Sequence, residues 1–510
     1  MLHAAQQAGS LETDARNLEG VLYRRRRLLL VLLTAVYAFG ALMHARGTPF
    51  WYDEIITIIA AGAPDAPTVY RAARQTDANP PLPHLLIHYS MKWWGQDEIG
   101  ARIPAIAGFW IFCLCLFRFT RLRAGIYYAL AALLLPIATD AYTYSAWARA
   151  YGPEFAFCGL ALVAWQAAAD GSRRALALPA LAASLAGATL CHYYAILLWV
   201  PLAGGEAVRW YRTRKVDWGI WAALAAGSSA LVWRASTIVG IGNATTHTWA
   251  PPYPGQVLEF WETGLPHALP FAVLLLALVA LSIVITRHEP DAGPPRPVAL
   301  QDRELVAGAL FLAVPVIAVA GAILFTHMFT PRYAVFAVAG LAFLVPMLAA
   351  HFLAGRALFG FLLAAVMLAY LGFVTIDVPA PRNPFLDEPI LRHALATEPV
   401  VVSDGQLFLQ MWWYAPQPLK SRLVFLADAP SAVAYMGFET IDTGIFTLRQ
   451  WAPVNVVEYN SFFAPGKEFL VYRNLLRPEW LLAKVIKDGG SARIEEFDRR
   501  RELLRVRFKP

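Results

Sequence analysis

The sequence predicts a polytopic α-helical membrane protein of about eleven spans, followed by a small C-terminal α/β domain. The composition predicts the membrane class: 58% of the 510 residues are hydrophobic and only 15% are charged, whereas a soluble protein carries roughly 25% charged residues. Because the deficit of charge extends along most of the chain, it indicates many membrane-spanning helices. The α/β domain is predicted by a change of pattern after residue 376, where strand-like and helix-like runs alternate.

Residues 1–27 are polar and end in a run of arginines, Arg24–Arg27, and an apolar run begins at Leu28. No small-x-small cleavage site follows, so we interpret the run as an uncleaved first span behind a cytoplasmic N-terminal segment. A membrane core of about 30 Å needs about 20 apolar residues per helix. By this measure the predicted spans are 28–45, 103–119, 124–140, 151–169, 175–190, 192–209, 217–236, 268–286, 304–325, 332–353 and 356–376.

The basic residues predict which side of the membrane each loop faces, because cytoplasmic loops carry an excess of Lys and Arg. The basic clusters lie at 24–27, 118–123, 173–174, 209–215, 287–303 and 356. They all fall on the cytoplasmic side if the short run 82–94 does not cross the membrane. We therefore expect 82–94 to be an interfacial helix, with Trp93 and Trp94 in the headgroup layer. The N-terminus is then cytoplasmic and the C-terminus lies outside the cytoplasmic (inner) membrane.

This topology divides the chain into a transmembrane domain, 28–376, with outer loops at 46–102 and 237–267, and an outer C-terminal domain, 377–510. In the C-terminal domain VVVSDGQ is typical of a strand, LFLQMWWYA of a helix and SRLVFLAD of a second strand. A continuous β-branched run followed by a helix favours a buried parallel sheet. We expect a small α/β domain.

The net charge of +7 lies mostly in short clusters between apolar runs, which suits membrane topology. Basic and aromatic residues do not form a groove pattern, so no nucleic-acid partner is expected. The cysteines lie inside or at the ends of apolar runs and lack the spacing of a zinc or redox site, so we expect them to pack in the core. They are Cys113, Cys115, Cys158 and Cys191.

The segment PFWYDEIIT, 49–57, places two adjacent carboxylates, Asp53 and Glu54, shortly after the first predicted span. One interpretation is local: Asp53 caps a short helix, and Glu54 lies near the positive end of its dipole. The other is chemical, because a partly desolvated carboxylate near the headgroups can act as a general base or hold a divalent cation. Both residues are therefore candidate catalytic residues and candidate ligands for Mg²⁺ or Mn²⁺, and the need for a cation stays open.

Other polar motifs lie on the same predicted outer face, and each also has an ordinary explanation as a turn, an interfacial arginine or a hydrogen-bonded histidine. Two of their residues, Arg149 and Arg332, suit a phosphate at the membrane surface, because a guanidinium gives a phosphate two charge-assisted hydrogen bonds. The candidate substrate-binding residues are Asn79, Asp140, Arg149, Tyr151, His192, Tyr193, Arg332 and Tyr333.

The order of these motifs resembles that of the C-type (GT-C) integral-membrane glycosyltransferases, the clan of protein O-mannosyltransferases and the lipid A aminoarabinose transferase. The resemblance covers about residues 28–376 and rests on DE, NPPL, EIGARIP, ARAY, HYY and PRY, in that order; the tail also resembles those of bacterial members. It implies a polyprenyl-phosphate sugar as donor and Asp53 as base or metal-linked acid. One departure is Trp147, where related bacterial sequences often have an acid, so Asp140 or Glu154 is the alternative second acid.

Residues and resemblance together predict a glycosyltransferase that moves a sugar from a polyprenyl-phosphate donor to a hydroxyl of a glycan, lipid or protein acceptor, with inversion. Asp53 takes the acceptor proton and Glu54 orients Asp53 or a cation. The donor phosphate lies against Arg149 and Arg332, with His192 and a tyrosine. The absence of a P-loop or a Rossmann glycine fingerprint agrees with a donor that is not a nucleotide.

Two other functions fit parts of the sequence. A polysaccharide polymerase or ligase also uses lipid-linked sugar and outer arginines. A flippase or transporter of lipid-linked sugars typically has ionisable residues near the middle of several spans and internal repeats, which this sequence lacks. The aromatic loop 237–267 is interpreted either as a lid over the acceptor or as an interfacial aromatic belt.

Overall fold

The computed structural model describes residues 2–77, 79–230, 247–265, 269–288, 298–377, 379, 398–464 and 466–508 of the chain. Six of the described helices, or seven if one bent pair counts as a span, are long and apolar enough to cross a membrane. A six-stranded sheet with its own helices follows them. The predicted class, a polytopic helical membrane protein with a small C-terminal α/β domain, is confirmed.

The helices of the first part of the chain are numbered here in chain order. They are α1 (Leu2–Arg24), α2 (Arg26–Gly47), α3 (Tyr52–Ala61), α4 (Ala66–Thr76), α5 (Leu82–Trp94), α6 (Glu98–Ala124), α7 (Ile126–Leu134), α8 (Tyr151–Ala169), α9 (Arg174–Cys191), α10 (Trp199–Thr213), α11 (218–230), α12 (Gln256–Gly264), α13 (Leu269–His288), α14 (Asp302–Gly321), α15 (Val338–Phe352) and α16 (Ala357–Ile376). Short 3-10 helices occupy Leu135–Ala138, Asp140–Ala146, Tyr193–Leu198 and Pro331–Ala337.

The described helices coincide with the predicted spans but correct several of them. The span predicted at 124–140 is bent by 73° between Ile126–Ala138 and Asp140–Ala146, next to Pro136, which cannot donate a helical hydrogen bond. α7 and α10 have only 9 and 15 residues, so neither is by itself long enough to cross a membrane. The predicted span 217–236 lies partly outside the described residues.

The polar N-terminal segment forms α1 and packs against the bundle. The carboxylate of Glu12 accepts hydrogen bonds from the backbone N–H groups of Ala357 and Leu358, both at 2.9 Å. These are the first residues of α16, whose N–H groups have no partner within the helix. The hydroxyl of Tyr127 donates to the carbonyl of Ala15 at 2.9 Å. α1 therefore caps α16 and ties it to α7.

The C-terminal domain has a mixed sheet in the order β3-β2-β1-β4-β6-β5. Its strands are β1 (Val400–Val402), β2 (Leu423–Ala427), β3 (Val456–Glu458), β4 (Glu468–Asn474), β5 (Gly490–Phe497) and β6 (Arg501–Phe508). Its helices are α17 (Gly405–Tyr414), α18 (Gln417–Lys420), α19 (Ala429–Met436), α20 (Thr440–Leu448), α21 (Tyr459–Phe462) and α22 (Leu481–Lys487). β1 pairs in parallel with β2 and β4, so the predicted strand, helix and parallel strand are present.

The helix α3 shares a hydrophobic core with the C-terminal domain. Ile55 of α3 is fully buried and belongs to the same cluster as Phe408, Leu409 and Phe425. Apolar burial stabilises by roughly 25 cal/mol per Å², so α3 depends on the domain that follows it by more than 300 positions in the chain. The sequence boundary at 377 therefore does not separate two independent cores.

Two smaller predictions agree with the described residues. The run 82–94 forms α5, a helix of 13 residues, and its last residues Trp93 and Trp94 are exposed. The four cysteines are buried and free, as expected for residues that pack in the core.

Candidate active site

A cavity of about 880 Å³ lies where α3, the turn after α9, the segment before α15 and the C-terminal domain meet. Most of the candidate residues converge on it, although they come from widely separated parts of the chain. Those that line it are Asp53, Asn79, Arg149, His192, Tyr193, Arg332 and Tyr333. Glu54, Asp140 and Tyr151 do not line this cavity.

Asp53 lies in the first turn of α3 and meets Arg332 across the cavity wall. The Nη2 of Arg332 donates to Oδ2 of Asp53 at 3.0 Å, while no described residue donates a hydrogen bond to Oδ1. The Arg332 guanidinium also lies over the rings of Trp51 and Trp249, at 5.3 Å and 5.4 Å from their centroids. Two aromatic faces and one carboxylate therefore fix this cation.

Arg149 is held by acceptors on α3 and on the segment after α4. Its Nη1 donates to Oδ2 of Asp77 and to Oγ1 of Thr57, both at 2.6 Å, and to the carbonyl of Asp53 at 3.2 Å. Asp77 also accepts from the backbone and side-chain nitrogens of Asn79 through Oδ1. Asn79 thus shapes the site by orienting Asp77.

Asp77 is the partner that the sequence analysis missed, and its only signal was its place two residues before NPPLP. Burial raises the pKa of Asp77, but the Arg149 guanidinium and the ring of His84, 3.5 Å away, outweigh burial and hold the pKa of Asp77 well below its usual range. The carboxylate is therefore ionised at neutral pH and neutralises Arg149.

Glu54, a candidate catalytic residue expected to orient Asp53 or a cation, is buried and lies outside the cavity lining. Arg102 donates to Glu54 through Nε and Nη2, both at 2.8 Å. The backbone N–H groups of Ala148 and Trp51 donate to the same carboxylate at 2.7 Å and 3.2 Å. Glu54 therefore joins α3 to α6 and to the segment that carries Arg149.

Four protein donors occupy the carboxylate of Glu54, one of the two predicted cation ligands. In the described part of the chain, no group of three or more His, Cys, Asp and Glu side chains is placed to hold a metal ion. A divalent cation stays a prediction, and Asp53 is the remaining candidate ligand of the pair.

An aromatic wall borders the cavity beside the two arginines. The ring of His192 lies 4.8 Å from that of Tyr333 and 5.9 Å from that of Tyr151. Tyr151, which does not line the cavity, therefore packs against a residue that does. The hydroxyl of Tyr194 donates to the carbonyl of Met328 at 2.7 Å. Aromatic faces of this kind can pack against the apolar face of a sugar ring or against a polyprenyl chain.

The candidates for a second acid lie elsewhere. Asp140 lines a smaller neighbouring cavity with Phe260 and Trp261, and Arg332 lines both cavities. Glu154 is buried, and its carboxylate oxygens have no hydrogen-bond partner among the described residues. Neither acid therefore lines the cavity that contains Asp53.

Trp147, which stands where related bacterial sequences often have an acid, packs against another aromatic ring. Its ring lies 4.9 Å from that of Trp51, the residue that contacts Arg332. Trp147 therefore packs against the ring that contacts the Arg332 cation.

The loop 237–267 contributes to the cavity through its described part, 247–265. The N–H of Phe329 donates to the carbonyl of Ala250 at 3.0 Å, and Nε2 of Gln256 donates to the carbonyl of Phe329 at 3.1 Å. These bonds hold Trp249 in the cavity lining. The expectation of a lid concerns residues that lie partly outside the described chain.

The C-terminal domain supplies a wall of the cavity that the sequence analysis did not assign to the site. Gln406 at the start of α17 and Thr440, Ile441 and Gly444 on α20 line it. Their sequence context is that of a separate α/β domain, so no local signal marked them.

No protein-family model and no curated protein matches the chain, but solved structures do. ArnT from Cupriavidus metallidurans in the apo state matches with 13% identity and a TM-score of 0.55, over 94% of this chain and 98% of that chain. ArnT from Cupriavidus metallidurans bound to undecaprenyl phosphate matches with 14% identity and a TM-score of 0.50, over 94% and 97%. At this identity the similarity shows the fold: the chain has an ArnT-like GT-C fold, as the motif order implied.

Proposed function

We propose that this chain is an integral-membrane glycosyltransferase that moves a hexosyl or pentosyl group from a polyprenyl-phosphate donor to an acceptor hydroxyl. The observation that carries the proposal is the convergence of one carboxylate, Asp53, with two arginines, Arg149 and Arg332, on a single cavity of an ArnT-like fold. One of the similar ArnT structures has undecaprenyl phosphate bound, which supports a polyprenyl-linked donor here.

The charges of the cavity favour the leaving group. Asp53 and Asp77 balance Arg149 and Arg332 before reaction. When Asp53 takes up a proton its charge is lost, and the cavity becomes positive as negative charge develops on the departing phosphate. Preorganised charge of this kind is often the largest single contribution to catalysis.

The proposed step is a direct displacement. The acceptor oxygen forms a bond to the anomeric carbon while the bond from that carbon to the phosphate oxygen breaks, and polyprenyl phosphate leaves from the opposite face. The acceptor proton passes to Asp53, whose Oδ1 receives no hydrogen bond from the described residues. A single displacement inverts the anomeric configuration, and general-base assistance typically contributes about 10²–10⁴-fold.

Glu54 acts in this proposal as a positioning residue. Its bonds to Arg102 and to the N–H of Ala148 fix the first turn of α3 relative to Arg149. The base and the phosphate-binding cation thus share one buried anchor. A displacement of about 1 Å at a reacting group can cost on the order of 10²-fold in rate, so this anchor matters to the reaction.

The proposed location is the cytoplasmic membrane, with the cavity and the C-terminal domain on the outer face. No nucleotide-sugar pool is expected there, so an activated sugar must arrive on a lipid. The acceptor is a glycan, a lipid or a protein. The arginine clusters between spans support this orientation.

The test is transfer of radiolabelled sugar from polyprenyl-phosphate donors by the purified protein in membrane extracts. Asp53→Asn should abolish transfer, while Asp14→Asn, the same change on the exposed side of α1, should retain it. Equal transfer by both variants would remove Asp53 from the mechanism. Repeated additions of sugar to one acceptor would favour the polymerase alternative, and movement of donor across vesicles without bond cleavage would favour the flippase.

A further inference from the structure

The backbone N–H and the backbone carbonyl of Phe50, three residues before Asp53, are both hydrogen-bonded by side chains of helix α17 of the C-terminal domain. The N–H of Phe50 donates to the hydroxyl of Tyr414 at 2.5 Å, and Nε2 of Gln410 donates to the carbonyl of Phe50 at 3.2 Å. The Tyr414 hydroxyl in turn donates to Oε1 of Glu98 at 2.9 Å. One hydroxyl thus connects the start of α3, the start of α6 and the C-terminal domain.

The side chain of Phe50 is enclosed by the same elements. It is 1% exposed, and its ring lies 6.0 Å from that of Trp413 in an edge-to-face arrangement. The Arg102 guanidinium, which binds Glu54, lies 4.8 Å from the centroid of the Phe50 ring. Phe50 is therefore in contact with both the α17 helix and the buried anchor of α3.

α2 ends at Gly47 and α3 begins at Tyr52, which leaves a short non-helical connection whose N–H groups need partners. The backbone on either side of Phe50 is fixed by Arg102 and Glu54: Arg102 donates to the carbonyls of Thr48 and Pro49, and the N–H of Trp51 donates to Glu54. Phe50 is the residue of this connection whose own N–H and carbonyl are bonded by the C-terminal domain. Without the Tyr414 hydroxyl, the buried N–H of Phe50 loses its acceptor, and such a loss costs more than a typical hydrogen bond contributes.

We propose that Tyr414 is a positioning residue for Asp53, and that the C-terminal domain is an integral part of the active site rather than an appendage. Tyr414 fixes the Phe50 peptide, the peptide fixes the first turn of α3, and that turn carries the base. The inference rests on the proposed function for its catalytic consequence, whereas the clamp itself is a property of the fold.

The experiment uses the full-length protein in detergent or nanodiscs and compares Tyr414→Phe with Tyr435→Phe. Tyr435 lies on α19 of the same domain and is 43% exposed, so it is a matched control. Hydrogen exchange followed by mass spectrometry should show faster exchange of the amides at 50–55 in Tyr414→Phe, by roughly twofold to tenfold for one lost hydrogen bond. Tyr435→Phe should exchange at these amides as the wild type does.

The kinetic arm separates positioning from general destabilisation. With the donor that the wild type uses, Tyr414→Phe should lower kcat on the order of tenfold while KM for the donor changes little, because Arg149 and Arg332 are untouched. Gln410→Ala, which removes the second bond to Phe50, should act in the same direction, and the melting temperature shows whether each variant is folded.

The outcomes distinguish this inference from the proposed function. Unchanged exchange at 50–55 in Tyr414→Phe overturns the clamp whatever the transfer assay shows. Faster exchange with unchanged kcat also overturns it, because the position of α3 would then not matter to the reaction. If the wild type transfers no sugar from any polyprenyl-phosphate donor, the proposed function fails while the exchange result still decides the clamp.

Discussion

Arg332 donates a hydrogen bond to Asp53 at 3.0 Å, although 279 positions separate the two residues in the chain. The pair places the proposed base beside the proposed phosphate-binding cation. A donor phosphate and Asp53 would therefore compete for one guanidinium, and donor binding would release the carboxylate for its role as base. This relationship motivates the first prediction.

Arg332→Gln should weaken both donor binding and turnover, because it removes the charge that faces the phosphate. A hydrogen bond to a charged group contributes about 1.5–3 kcal/mol, so kcat/KM for the donor should fall about 10- to 100-fold. Arg71→Gln on the exposed side of α4 is the control and should leave kcat/KM unchanged. An Arg332→Gln enzyme with wild-type kinetics would exclude Arg332 from the phosphate site.

Loss of the Glu54 charge should mainly lower the stability of the protein, whereas loss of the Asp53 charge should mainly abolish sugar transfer. Glu54→Gln breaks a buried ion pair with Arg102, which typically costs about 3–5 kcal/mol of stability. Asp53→Asn keeps an oxygen acceptor for Arg332, so its unfolding free energy should change by only about 1 kcal/mol while transfer is lost. Denaturation of both variants in parallel with the transfer assay tests this. Stability lost equally in both would contradict the separate roles.

Asp77→Asn should destabilise the protein by about 3 kcal/mol, because it leaves the buried Arg149 cation without a counter-ion. In the wild-type protein the pKa of Asp77 is lower in the folded state than in the unfolded state. The stabilisation by Asp77 is therefore fully present above the unfolded pKa of about 3.9 and is lost as the pH falls further. The double variant Asp77→Asn with Arg149→Ala should be less destabilised than the sum of the single variants. Additive effects would show that the two side chains do not interact.

Asp442 in α20 should make the C-terminal domain less stable as the pH rises. Burial raises the pKa of Asp442 to about 6 despite hydrogen bonds from the Asp428 backbone and the Trp480 ring nitrogen. The native state therefore resists ionisation of Asp442. The resulting loss of unfolding free energy grows as the pH rises from the unfolded pKa of about 3.9 to the folded pKa of about 6. Asp442→Asn, which keeps an acceptor for Trp480, should be more stable than wild type by about 3 kcal/mol near pH 8 and by about 1 kcal/mol near pH 4.5.

Thermal unfolding of Asp442→Asn and wild type at both pH values measures this difference. Asp14→Asn provides the control for a carboxylate change at an exposed position and should show no pH-dependent difference. A variant that is destabilised at pH 8 would mean that the ionised carboxylate contributes to the fold.

The sequence by itself determined the class of this protein and the inventory of its polar motifs. Apolar runs and β-branched runs are local patterns, so the membrane helices and the strand, helix and strand beginning at Val400 could be predicted from them. The ordered motifs also identified Asp53, Arg149 and Arg332 as candidates, because charged residues close to membrane spans are costly and commonly serve a function.

The tertiary structure alone decided which partners those residues have. Glu54 meets Arg102 across 48 positions, Arg149 meets Asp77 across 72, and Phe50 meets Tyr414 across 364. Such pairings depend on how whole helices pack, which no local pattern encodes. Even the separation of Asp53 from Glu54 follows from helix geometry: with 3.6 residues per turn, adjacent side chains point about 100° apart, so one carboxylate faces the cavity while its neighbour is buried as an anchor.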